Sequence, residues 1–147
     1  IAVCSWVYRA NQNLHLANLE NIKHTSGWSV GWFFIPFANL VKPAQVLGEI
    51  EKGTNNIPEE FTSTSWQAQK TDSSVTLWWL CYIISGFLSN ISTRMFDEIN
   101  LESNDYAVIS GFEFASVFLL VISGRMLIKV VTKVTEIQEK TRSEDLI

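Results

Sequence analysis

The placement of charge constrains this chain more than any other feature. No charged residue falls between Lys23 and Lys42, or between Asp72 and Arg94. From Tyr106 to Val131 the only charges are Glu113, Arg125 and Lys129. A helix crosses the hydrocarbon core of a bilayer with about 20 predominantly apolar residues, in a range of about 17–25. Ser73–Thr93 and Tyr106–Lys129 reach that length, Thr25–Val41 reaches only its lower limit, and the opening octet Ile1–Tyr8 falls short. A core helix of a soluble domain would carry a polar stripe at the helical period. The stretch from Val75 to Ile84 carries none. The expected fold is all-α: an integral membrane helical bundle of three to four membrane segments, one of them kinked at proline, with residues 1–147 forming a single membrane domain.

Composition supports this and removes other classes. The chain is 47% hydrophobic and 18% charged, against about 25% charged in an average soluble domain. Six Trp do not fit a disordered chain, and two Cys cannot form a disulfide framework. A net charge of −4 leaves no basic footprint for nucleic acid. The expected partners are the lipid bilayer and other membrane proteins or further copies of the chain, with no nucleic acid. The N-terminus lacks the basic region and small-residue cleavage site of a signal peptide. Ile1–Tyr8 reads as the last turns of a spanning helix that begins outside this chain, which is then expected to be a fragment.

Basic residues in short loops mark the cytoplasmic side. The last apolar run is followed by Lys133, Lys140 and Arg142, with Arg125 and Lys129 near its end, whereas the loop Arg94–Asp105 has one Arg and four acids. This predicts a multi-pass protein of the inner (cytoplasmic) membrane with its C-terminus in the cytoplasm. Residues 54–74 are then a cytoplasmic loop whose Trp66 anchors at the interface, and residues 132–147 are a cytoplasmic helical tail. If Thr25–Val41 crosses, Arg9 and Lys23 fall outside; if it dips in and returns, ten of the eleven basic residues share one side. The apolar continuation through Val41–Ile50 favours crossing, and crossing is the expectation.

The densest patterning lies from Gly27 to Pro43. Trp28, Trp32 and Pro36 recur every four residues. Gly27 and Gly31 form a small-xxx-small pair, which in membranes lets a second helix approach closely. Pro36 and Pro43 each remove a backbone donor and would bend a helix; Asn39 stands one turn later to compensate or to bond across helices. Together with Trp6, Arg9 and Asn13, this pattern resembles the membrane-protein family known as domain of unknown function 4328. The shared pattern reads W-x-x-R-x-x-x-N, a short gap, then G-W-x-x-G-W-x-x-x-P-x-x-N-x-x-x-P. It covers about residues 6–50. Ala44 and Glu51 stand where the family often has aromatics. The resemblance implies a bacterial multi-span membrane protein with no assigned activity and no catalytic residues to transfer.

No complete catalytic constellation is legible. Gly27 to Gly31 matches G-x-S-x-G, but a hydrolase elbow needs a downstream acid and then a His, and the only histidines, His15 and His24, lie upstream. Those two lack the closely spaced partners of a metal site and read as polar surface or interfacial residues. Cys4 and Cys81 sit in apolar runs as small hydrophobes. No catalytic residue, cofactor or metal is expected. Glu113 stands out, because an ionisable group inside a membrane segment is costly unless paired or hydrated. Its helical neighbours Ser110 and Ser116 suggest that it faces protein, with Arg9 as partner if the second segment crosses. The expected function is a non-enzymatic interaction, scaffold or sensor component. The competing reading is a small transporter or channel-like protein using Glu113 and a proline-broken helix around Asn39.

Overall fold

The computed structural model describes residues 2–57, 64–97 and 103–144. Among these are five α-helices, two short 3-10 turns and no strand. The helices are α1 (Ala2–Leu16), α2 (Ser26–Gly31), α3 (Lys42–Asn56), α4 (Ser73–Phe96) and α5 (Ser103–Glu144), and the turns are Ala38–Leu40 and Thr64–Ala68. The chain divides into two compact units, one of residues 1–76 with 128–147 and one of residues 77–127.

In the first unit α3 is the hub. Val46, Leu47, Ile50 and Thr54 are buried, and so are Glu49 and Glu51 on its other faces. α1 offers it a narrow apolar stripe of Val7, Ala10 and Leu14 at three- and four-residue spacing, the signature of a helix with one buried face. Gly53 permits this packing: a Cβ there would lie 2.9 Å from both Leu14 Cδ1 and Leu19 Cδ2. The last turns of α5 belong to the same unit and bury Val130 and Val134. Trp6 Nε1 donates to Thr135 Oγ1 at 3.0 Å, and Gln138 Nε2 donates to Ala10 O and Thr54 Oγ1. The chain after Lys129 is therefore a packed helix as far as the hydrogen bonds of Gln138, not a solvated tail.

The second unit is an antiparallel pair formed by the rest of α4 and α5. Ser92 Oγ donates to Ile109 O at 3.3 Å, Ser116 Oγ to Ser85 O and Ser123 Oγ to Trp78 O, both at 2.9 Å. The three contacts step by seven residues on each helix, the period that keeps facing residues in register. Serine is small enough for close backbone approach and consumes its own hydroxyl in the seam. The outer faces are apolar and open, with Leu80, Ile84 and Phe87 on α4 and Phe114, Phe118 and Val121 on α5 exposed. α4 and α5 are both long and apolar enough to cross a membrane. Only 33% and 17% of their most apolar windows are buried, whereas a soluble core helix would be mostly buried.

Three expectations need correction. Thr25–Val41 is not a continuous helix: α2 stops at Gly31, turns follow, and the segment ends in a 3-10 turn. Phe37 has a φ of 65°, a region that a bulky residue enters only under strain. The described residues therefore hold two helices able to cross, not three or four. Pro36 lies in the turns rather than kinking a helix, and Pro43 sits in the first turn of α3, where its missing N–H costs nothing.

Candidate functional site

A cavity of about 560 Å³ opens in the first unit between the start of α3 and the segments 23–32 and 66–71. Three lysines, Lys23, Lys42 and Lys52, line it together with His24, Trp32, Gln45, Glu49 and Trp66. The order of elements explains their convergence. Asn18 and Asn21 adopt positive φ, which Asn tolerates better than other side chains, and so turn the chain after α1 back towards α3. Glu49 holds that turn: its oxygens accept the backbone N–H groups of Lys23 and His24, and His24 Nδ1 meets Oε2. From below, Trp66 Nε1 donates to Glu20 O at 3.2 Å and Gln67 Nε2 bonds Asn21 O. Trp66 is thus a buried part of this wall rather than an interfacial anchor, and His24 is buried rather than on the surface.

At the mouth, Trp28 and Trp32 pack with ring centroids 4.9 Å apart. Lys42 Nζ sits 5.2 Å from the Trp32 ring centroid, a cation–π arrangement. Trp32 Nε1 is buried and has no hydrogen-bond partner among the described residues. Lys52 Nζ reaches Gln67 O at 3.4 Å. Among the described residues none of the three lysines forms an ion pair with a carboxylate.

A second charged cluster ties α5 to α3. Lys133 Nζ lies 2.8 Å from Glu51 Oε1 and 3.5 Å from Asp72 Oδ2. Glu51 also accepts from Asn55 Nδ2 and from the Asp72 N–H. Asp72 in turn accepts the Ser74 N–H at 2.8 Å, at the border of α4. The Ser74 backbone and hydroxyl hold the Asp72 carboxyl below its ordinary range, and Lys133 adds to this. Hydrogen bonding to Glu51 pushes the Lys133 ammonium up, against the opposing effect of burial.

Residues 1–136 match the family described as "Domain of unknown function (DUF4328)". The chain belongs to this family. No curated protein and no solved structure matches it. The residues that carry the family pattern take structural positions in the DUF4328 fold. Trp6 and Asn13, seven apart on α1, both bond the end of α5, Asn13 Nδ2 through Gln138 Oε1 at 2.8 Å. Arg9, between them in sequence, is exposed. Gly27 and Gly31 receive no second helix: a Cβ at Gly27 meets nothing within 4 Å, and one at Gly31 meets only the Trp28 ring. The buried residue of α2 is Ser29, whose Oγ donates to Ser26 O, so the apparent nucleophile is spent on its own turn. Asn39 N–H donates to Ile35 O at 2.9 Å. Asn39 belongs to the first unit and Glu113 to the second, and Glu113 is exposed on α5, not turned into the serine seam.

Sequence reasoning missed the lysine-lined cavity. Lys23, Lys42 and Lys52 are scattered singly along the chain, and only the turn held by Glu49 gathers them. The one available signal was an acid, Glu49, placed among apolar residues of an amphipathic stretch.

Proposed function

We propose that this protein is a non-enzymatic integral membrane protein acting through interaction, as a scaffold or sensor component. In this reading α4 and α5 cross the inner membrane as a hairpin, and residues 1–76 and 128–147 lie together on the cytoplasmic side. The observation that carries the interaction role is Glu113. It sits on the apolar outer face of a crossing helix, exposed beside Phe114. An ionisable side chain is expensive there unless another protein group meets it. A second copy of the chain or another membrane helix supplies that group. The transporter reading has less support, because its two polar residues occur in separate units.

The membrane part is tested by carbonate extraction: the chain should stay with the membrane pellet, and recovery as a detergent-free soluble monomer would overturn it. Sidedness follows from cysteine labelling of intact cells, which should modify a Cys placed at 103 and spare one placed at 143. The interaction role is tested by energy transfer between labelled copies, and by cross-linked partners, in native membranes. Glu113→Leu should abolish the association seen with the parent chain; unchanged association would remove Glu113 as the contact.

A further inference from the structure

The cavity at the start of α3 has the chemistry of an anion site. Lys23, Lys42 and Lys52 place three positive charges on its wall in a chain whose net charge is −4. The one carboxylate there, Glu49, has both oxygens engaged by N–H groups of residues 23 and 24 and pairs with none of the lysines, so it offsets one of their three charges and leaves the wall net positive. A further feature points to an anion. The α3 N-terminus, represented in the wall by Lys42, Ala44 and Gln45, carries no side-chain cap among the described residues. Pro43 has no N–H and the Gln45 N–H donates to Val41 O at 3.3 Å, so the N–H groups of Lys42 and Ala44, with the helix dipole, favour negative charge at this end.

We propose that this cavity binds a phosphate group, as an anionic lipid headgroup or a soluble phosphate compound. Lys42 and Lys52 supply charge, and the N–H groups of Lys42 and Ala44 at the start of α3 meet the oxygens. Pocket and lip are continuous in sequence: Phe34, Phe37, Leu40 and Val41, just before α3, are all exposed. Exposed apolar residues next in sequence to Lys42 would suit a molecule with a phosphate head and an acyl tail. The site is built from the first unit alone and does not depend on the membrane reading.

The test uses the full chain reconstituted in nanodiscs of neutral phosphatidylcholine. One arm adds inorganic phosphate at constant ionic strength. The other replaces part of the lipid with phosphatidylglycerol. Binding is read by Trp fluorescence and by thermal midpoint, with Lys42→Gln/Lys52→Gln, Lys52→Gln alone and the exposed control Lys70→Gln compared. Response to phosphatidylglycerol alone assigns a lipid headgroup, and response to phosphate alone or to both assigns the phosphate group itself. In each case the double variant should weaken binding at least about tenfold, about 1.4 kcal/mol, while Lys70→Gln leaves it unchanged. Lys52→Gln alone keeps Lys42 over the Trp32 ring and removes one charge, so it reports on the site even if the double variant folds poorly. No response in either arm, a response matched by chloride, or one that both Lys52→Gln and the double variant retain overturns the proposal.

Discussion

The sharpest test of the packing concerns Lys133. Its ammonium is the counter-charge of Glu51, whose side chain is 3% exposed, while that of Lys133 is 39% exposed. Lys133→Met keeps the apolar stem and removes the charge, stranding a buried carboxylate. Breaking a fully buried pair costs about 3–5 kcal/mol, and an exposed pair contributes at most about 1. Water can reach the Lys133 side, and Asn55 and the Asp72 N–H still bond Glu51, so the expected cost is about 2 kcal/mol by those bounds. For a unit of this size that lowers the melting midpoint by roughly 8–16 °C. Glu51→Gln leaves a Lys133 that solvent can hydrate, and costs less. The double variant should therefore be more stable than the sum predicts, with a coupling of about 1 kcal/mol or more. The pH dependence has a definite sign. Lys133 is raised in the folded state, so its contribution is complete below the unfolded lysine value of about 10.4 and disappears as pH climbs through the higher folded value. Asp72 is lowered, so its contribution is complete above about 3.9 and disappears as pH falls through the lower folded value. Melting followed by near-ultraviolet circular dichroism in detergent, between pH 7 and 11, should show an alkaline loss in the parent that Lys133→Met lacks. Additive single effects, or an unchanged alkaline limb, would falsify this account of the pair.

Three further outcomes follow from the geometry. Ser29→Leu should destabilise by about 1–3 kcal/mol because it overpacks a buried site, while Gly31→Leu should cost less, since its Cβ meets only the Trp28 ring; the reverse order of melting midpoints would refute the packing of α2. Gly53→Ala gains up to about 1 kcal/mol of helix propensity but forces Leu14 and Leu19 aside at about 1–3 kcal/mol, so a net loss is expected. Gly86→Ala, where a Cβ meets nothing within 4 Å, should be neutral or stabilising by the same measurement. Ser123→Ala should lose one seam bond and about 0.6 kcal/mol, whereas Ser123→Leu should separate the helices and lower stability in detergent well beyond that.

The two long helices were legible because the signal for them is an absence. Ser73–Thr93 has no charge and Tyr106–Lys129 only Glu113, Arg125 and Lys129, which leaves few alternatives, and both stretches fall inside α4 and α5. The Gly27–Pro43 stretch was misread for a physical reason. Four-residue recurrence of Trp28, Trp32 and Pro36 resembles one helical face, but periodicity cannot show where the helix stops. The positive φ at Phe37 is a tertiary choice that no local preference announces, since Phe has none for that region. Trp66 and His24 were assigned to interface and surface from residue type alone. Each is buried because a distant carbonyl or carboxylate, Glu20 O or Glu49, takes its polar atom, and such pairings over 25 to 46 residues leave no mark in a sequence.

The broken segment also removes a tension in the charge pattern. A crossing at Thr25–Val41 would leave Arg9 and Lys23 on the side opposite Lys42, Lys52 and Lys70, against the tendency of basic residues to share one side. A short helix and turns make no crossing. If α4 and α5 both cross, connectivity alone returns residues 128–147 to the same side as residues 1–76. Hydrogen bonds from Trp6 to Thr135 and from Gln138 to Ala10 and Thr54 require that shared side. Arg94, at the far end of α4, would then be the one basic residue left opposite. The proposed two-crossing topology is consistent with the hydrogen bonds and with the charge rule, and a third crossing between Asn13 and Lys42 would break both.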